Sequence, residues 1–238
     1  MTPRPRVFPD AAALALAAAD WVAEAAGRAL GERGAFRVAV PGGRTPRGML
    51  AALASPPHRD GIDWSRVTVL LADERALPPD APESNARLVR EALLAPLGAR
   101  APRFVRMRGE ATDLATAASE YEAELRLPLD LLVLGVGEDG HVASLFPGSP
   151  LLQAGERRVA VVENSPKPPA RRLTLTPRAI VEARAVLVLA SGAGKAVAVA
   201  DALATGTDPQ RVPAAFVRGA TWMLDREAAS RWERAPAT

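Results

Sequence analysis

The sequence predicts one α/β domain built on a doubly wound, mostly parallel sheet flanked by helices. Three observations carry this. The apolar runs Val67–Leu71, Leu131–Leu134 and Val186–Ala190 have the unbroken character of strands buried on both faces. Stretches with apolar residues at helical spacing alternate with them. Each run stops in a loop rich in glycine or charge, where open α/β sheets hold their ligands. No linker, internal repeat or low-complexity stretch interrupts the 238 residues, so a single domain, 1–238, is expected.

Composition narrows the function classes. Hydrophobic residues make up 48% and charged residues 24%, an ordinary globular balance able to bury a large core. No apolar run is long enough to span a bilayer. The Ala-rich stretch Ala11–Ala26 is interrupted by Asp20 and Glu24, so it reads as a helix and not as a signal peptide. The absence of cysteine removes disulfides and thiolate metal sites, and suits a cytoplasmic protein. Net charge is only +3 and the arginines are scattered among acids, which gives no footing for nucleic acid. Lys167 and Lys195 are the only lysines beside many arginines, and His58 and His141 the only histidines. In so arginine-rich a chain a lysine marks a place where a compact ammonium matters.

The elements follow in order. Ala11–Leu30 carries Leu14, Ala18, Trp21, Val22 and Ala25 on one helical face, with Gly31 as its stop. Phe36–Val40 is a short strand running into Pro41-Gly42-Gly43-Arg44-Thr45, with Thr45 as cap and Pro46 as first residue of the next helix. Strand, glycine turn and helix N-terminus make a cradle of free N–H groups for an anion. Val67–Leu71 ends in Asp73-Glu74-Arg75, and Ser84 or Asn85 caps a helix over Ala86–Leu94. Phe104–Arg108 is a strand and Asp113–Leu127 a helix. Leu131–Leu134 breaks at Gly135, Gly137 and Gly140, delivering Asp139 and His141. Arg158–Val162 and Arg172–Thr176 are β segments around the turn NSPKPPARR, and Pro177–Ala183 is a short helix. Val186–Ala190 leads through Ser191-Gly192-Ala193-Gly194 to Lys195 at the start of a helix over Ala196–Leu203. Pro213 opens a segment with Phe216 and Val217. A strand from Trp222, a helix and a fraying Ala235–Thr238 close the chain.

Four loops thus fall at strand ends: Gly42–Thr45, Asp73–Arg75, Gly135–His141 and Ser191–Lys195. In a parallel sheet those ends share one edge. Two loops suit a phosphate, one of them with a lysine. One carries an imidazole, the side chain suited to proton transfer near neutral pH. Asp73 and Asp139 are placed to orient it or to bind hydroxyls. Other chemistries fit poorly. Gly135–Gly140 matches G-x-G-x-x-G, but Pro147 and Pro150 interrupt the helix a dinucleotide fold requires. Neither glycine loop ends in GK[ST], two histidines without cysteine leave no ordinary zinc site, and no G-x-S-x-G elbow occurs. No cofactor and no metal are expected.

PGGRTP, LADERALPPDAPESN, GVGEDGHVASLFPG, RRLTLT and SGAGKA occur in the order seen in 6-phosphogluconolactonases, and the resemblance covers nearly the whole chain. DGHVASLFPG is its most specific element. These enzymes share a superfamily with the glucosamine-6-phosphate deaminases/isomerases. The deaminases look different after the DGH triplet, where a run ends in Asn-Glu-Pro and the glutamate assists ring opening. Phe146 stands at that place here, and Arg75 stands where a Tyr tends to follow Asp-Glu; both departures favour the lactonase branch. Small departures from the lactonase pattern also occur: Arg44 for a common Ser, Val142 for a common Thr, and Ala81 near the place of a frequent His.

The resemblance implies a Rossmann-like fold and hydrolysis of 6-phospho-D-glucono-1,5-lactone to 6-phosphogluconate, in the oxidative pentose phosphate pathway. It implies His141 as general base. Asp139 and Asp73 would hold the imidazole or sugar hydroxyls, and Arg75 or loop N–H groups the oxyanion. Gly42, Gly43, Arg44, Thr45, Arg172 and Lys195 would receive the 6-phosphate. The expected partner is the small sugar-phosphate lactone, with no nucleic acid or membrane, in a monomer or weak homo-oligomer. The alternatives are an amino-sugar phosphate deaminase and a non-catalytic sugar-phosphate sensor. The sensors usually carry a DNA-binding segment, whereas only a few residues precede the first helix here.

Overall fold

The computed structural model describes residues 4–126, 128–153 and 155–232. Its strands are β1 (Arg6–Phe8), β2 (Phe36–Val40), β3 (Val67–Leu71), β4 (Asp73–Arg75), β5 (Arg103–Val105), β6 (Leu131–Gly135), β7 (Val159–Val162), β8 (Arg172–Leu175), β9 (Val186–Ala190) and β10 (Thr221–Asp225). Seven form one sheet in the order β1-β10-β9-β6-β2-β3-β5, and every neighbouring pair is parallel. The remaining three form a small antiparallel sheet, β4-β8-β7. This is the doubly wound α/β architecture expected from the alternation of elements.

The unbroken apolar runs have the predicted cause. Leu131, Leu132, Val133 and Leu134 are all fully buried, as are Leu70, Leu71, Leu187 and Val188. Helices cover both faces of a parallel sheet, so the central strands are buried on both sides but for one partly exposed residue in each. The order also fixes where a ligand can enter. From β2 the chain winds one way through β3 and β5, and from β6 the other way through β9 and β10. The winding reverses between β2 and β6, whose connections part and leave a crevice beyond their carboxyl ends.

Several boundaries differ from the sequence expectation. The first helix spans Ala11–Arg33 and ends at Gly34, not Gly31. Gly34 takes the left-handed conformation at φ 75° and donates to Leu30 O, whereas Gly31 is an ordinary helical residue. The second helix, Arg44–Leu53, starts two residues early, with Gly43 at its N-cap and no side-chain cap from Thr45. Its first N–H groups are therefore left for another acceptor. The helix after Pro82 begins at Asn85, with Ser84 Oγ accepting from Arg87 N. It runs through a widened π segment, Arg90–Leu94, to Ala95–Leu97. Pro96, which lacks an N–H, follows that widened turn.

β5 is shorter than expected and shifted to Arg103–Val105. The helix before β6 spans Leu114–Leu125, with Asp113 as its cap; Leu127 and Ala235–Thr238 lie outside the described residues. The helix after β8 stops at Val181. Neither β1 nor the strand character of Asp73–Arg75 was expected; each is only three residues long. One buried polar contact ties the far half of the sheet. The hydroxyl of Tyr121 donates to Leu71 O and accepts from Leu71 N, both at 2.8 Å. Burial raises this phenol well above its ordinary range, so it remains a neutral donor.

Candidate active site

A cavity of about 310 Å³ opens at the crevice between β2 and β6. The four loops singled out in the sequence converge there: its walls include Gly42–Pro46, Asp73 and Arg75, Gly135 and Val136, and Ser191 with Lys195. A parallel sheet brings these strand ends to one edge although they lie far apart in sequence. A second depression of about 560 Å³ lies behind Glu138–Gly140. It lacks both the Gly42–Thr45 and the Ser191–Lys195 loops, and His141 lines neither cavity, while Asp139 lines this second one.

The cationic end is built from the N-terminus of helix Arg44–Leu53, the Arg44 side chain and Lys195. Neither Arg44 nor Lys195 has a carboxylate partner within ion-pair distance among the described residues. Burial pushes the Lys195 ammonium below the ordinary lysine range; Lys167 and Arg44 push the same way, and Glu138 and Asp139 oppose them. Unpaired cations converging on open N–H groups suit a phosphate dianion. The Ser191–Lys195 loop is held by Asp225 at the end of β10. Its carboxylate accepts from Ser191 Oγ at 2.7 Å and from Gly192 N at 3.0 Å.

The acid–imidazole pair sits on a tight loop. Val136 bridges to Val142, and Gly137 N donates to His141 O at 2.8 Å. His141 Nδ1 lies 2.5 Å from Asp139 Oδ1, and Lys167 Nζ donates to the same oxygen at 3.1 Å. Half-burial alone would raise the Asp139 carboxyl, but the hydrogen bonds and charge of His141 and Lys167 hold it well below the usual carboxylate range. An ionised carboxylate only accepts, so the proton on the neutral ring is assigned to Nδ1 and the lone pair to Nε2. The pair is completed at Gly137: a Cβ there would stand 1.9 Å from His141 Nδ1 and 2.4 Å from Asp139 Oδ1. Only glycine lets the imidazole fold back over its own loop.

Two of the expected residues have other work. Asp73, on β4, is 5% exposed and does not reach His141. Its Oδ2 accepts from Ser144 Oγ at 2.6 Å and its Oδ1 from Asn85 Nδ2 at 3.0 Å. It braces the loop that follows His141. Arg172 does not line the cavity; its Nε and Nη2 donate to the carbonyls of Pro169, Lys167 and Pro168 at 3.0–3.2 Å. The guanidinium also lies over the Phe146 ring, 5.5 Å from its centroid, and that ring packs 4.6 Å from the His141 ring. These contacts fix the turn that carries Lys167. Arg75 does line the cavity, anchored through Nη1 to Asn85 Oδ1 at 2.9 Å. Glu74 is buried and accepts from the N–H groups of Arg75, Asn85 and Ala86 at 2.7–2.8 Å. Burial pushes its carboxyl up, while those donors pull it back.

Sequence reasoning missed Lys167 as a member of the acid–imidazole group, and missed Asn85, Ser144 and Asp225. The scarcity of lysine was a signal for Lys167, but its distance from the glycine loops hid the contact. Among the described residues no cluster of three or more His, Asp or Glu is arranged to hold a metal ion.

The fold and site define an α/β protein with an anion-type cradle and an oriented imidazole at the switch point of its sheet. The chain belongs to the glucosamine-6-phosphate isomerase/6-phosphogluconolactonase family, whose model matches residues 9–224. It is 41% identical over 251 residues to a 6-phosphogluconolactonase of Streptomyces coelicolor, covering 98% of this chain and 96% of that one. It is 44% identical over 208 residues to the Pseudomonas aeruginosa 6-phosphogluconolactonase, covering 82% and 84%. Among solved structures, a 6-phosphogluconolactonase from Shewanella baltica superposes with a TM-score of 0.84 at 29% identity, over 94% of this chain and 99% of that one.

Proposed function

We propose that this protein hydrolyses 6-phospho-D-glucono-1,5-lactone to 6-phosphogluconate, with His141 as general base. The observation that carries the reading is the Lys167–Asp139–His141 arrangement, in which one carboxylate oxygen receives both Nδ1–H and the ammonium. It leaves Nε2 with a lone pair on a ring that Asp139 and Phe146 hold in place. The lactonase names of relatives at 41% and 44% identity support the choice of substrate. So does Phe146, an apolar ring where ring opening of an amino sugar calls for a carboxylate.

The 6-phosphate lies on the Gly42–Thr45 N–H groups with Arg44 and Lys195, which places the lactone ring toward the His141 loop. Water attacks C1 while Nε2 takes its proton. The carbonyl electrons move onto oxygen, and the oxyanion is met by Arg75 or loop N–H groups. The tetrahedral centre collapses, the C1–O5 bond breaks, and the imidazolium returns its proton to O5. The product acid then ionises. Asp139 stays ionised throughout and stabilises the transient imidazolium, and Lys167 keeps that carboxylate in position.

The test is a lactonase assay on freshly generated 6-phosphogluconolactone, corrected for spontaneous hydrolysis and run beside a glucosamine 6-phosphate control. The expected result is lactone hydrolysis without ammonia release. His141→Ala is expected to lower kcat by roughly 10²–10⁴-fold, the usual worth of a general base. Ammonia release by the wild type, or near-normal hydrolysis by a folded His141→Ala protein, overturns the reading.

A further inference from the structure

Two walls of the cavity meet at a single buried amide. Asn85 is 1% exposed. Its Nδ2 donates to Asp73 O at 2.8 Å and to Asp73 Oδ1 at 3.0 Å, and its Oδ1 accepts from Arg75 Nη1 at 2.9 Å. The amide orientation follows from its partners, since a carboxylate only accepts and a guanidinium only donates. On its third side the same Oδ1 fills the space where a Cβ of Gly42 would stand, 1.8 Å away. Asp73 carries the chain onward to Ser144, three residues past His141. Arg75 depends on this contact: its Nε is buried with no partner among the described residues. Without Asn85 its only other side-chain anchor is the carbonyl of Glu83.

We propose that Asn85 is a positioning residue for substrate: its amide sets Arg75 and the Gly42–Gly43 backbone in the geometry that receives the phosphorylated lactone. Position 42 is glycine so that the amide can lie against that backbone. The inference rests on the lactonase reading above. Asn85 touches none of His141, Asp139 and Lys167, so its loss weakens binding and leaves the proton transfer in place.

The test uses Asn85→Ala, Gly42→Ala and the double variant, compared with wild type. Gly42→Ala reaches the amide from the opposite side, so the test survives if Asn85→Ala fails to fold. Each single change is expected to raise KM for 6-phosphogluconolactone by about tenfold or more, the worth of one lost hydrogen bond to a charged group. The Asp139–His141 pair is untouched, so any fall in kcat comes through Arg75 and is expected to stay well below the roughly 10²–10⁴-fold loss of His141→Ala. In the double variant the alanine methyl at 42 enters the space the amide has left, so KM is expected to rise no further than in Asn85→Ala. A general loss of stability would lower the fraction folded and leave KM of the folded enzyme unmoved. Wild-type KM in Asn85→Ala, a fall in kcat at constant KM, or effects that multiply in the double variant overturn the proposal. Calorimetric titration of the same four proteins with inorganic phosphate separates this from the function itself. If the wild type lacks lactonase activity, the same non-additive loss of phosphate affinity still supports the positioning role, and additive losses overturn it.

Discussion

Gly137→Ala isolates the imidazole from the fold. The backbone at this position is not in the left-handed region, so alanine adds no conformational strain there. What it adds is a methyl group 1.9 Å from His141 Nδ1, 2.2 Å from His141 Cε1 and 2.4 Å from Asp139 Oδ1, where ordinary contact begins near 3.4 Å. To clear it, the ring must shift by about 1.5 Å, the difference between those distances. A shift of that size breaks the 2.5 Å bond between Nδ1 and Asp139 Oδ1. Misplacing a reacting group by about 1 Å costs on the order of 10²-fold, and removing a general base altogether costs up to about 10⁴-fold. The expected fall in kcat is therefore about 10²–10⁴-fold. Thermal unfolding should change little, because His141 is partly exposed and its loop is pinned separately by Ala214 N donating to Gly140 O at 2.8 Å. Initial-rate kinetics beside a melting curve make the assay. A kcat within about threefold of wild type would refute the assignment of the base, because no arrangement of the pair tolerates that methyl in place.

Two further outcomes can be checked. Lys195, lowered chiefly by burial, loses its charge at a lower pH than an ordinary lysine. If Lys195 holds the phosphate as proposed, it is charged below that pH, so affinity for 6-phosphogluconate should decline on the alkaline side before an ordinary lysine, with its pKa of about 10.4, would titrate. Calorimetry from about pH 7 upward should show this decline in the wild type and lose it in Lys195→Ala; the same slope in both would remove Lys195 from the phosphate site. Tyr121→Phe strands the N–H and C=O of Leu71 inside the protein. The expected cost is about 2–4 kcal/mol, or on the order of 10 °C in Tm for a chain of this size, with kcat unchanged. A melting temperature equal to wild type would mean that other groups satisfy Leu71.

The fold was legible because its signals are local. Leu131–Leu134 and Val186–Ala190 announce buried parallel strands by composition alone, and four of the central strand spans agree with the structure at or within a residue. The elements that were missed are three-residue strands, too short for any periodicity. Boundaries shifted where a competing residue decided the cap, as Gly34 did over Gly31.

The site divides along the same line. The sequence places the glycine loops, Asp139, His141 and Lys195 at strand ends, and topology alone brings strand ends together. The commitments of individual side chains have no such rule. The resemblance implies a substrate role for Arg172 and for Asp73 either the imidazole or sugar hydroxyls, and sequence order carries no sign of their contacts. Their roles are set by β4 pairing with β8, which places Asp73 opposite Thr174 and Arg75 opposite Arg172. That pairing buries Arg172 against the carbonyls of the turn that presents Lys167. The small antiparallel sheet therefore does what the large one cannot. The parallel sheet assembles the loops at one edge, and the β4-β8-β7 sheet delivers a cation from a distant turn to the carboxylate paired with His141.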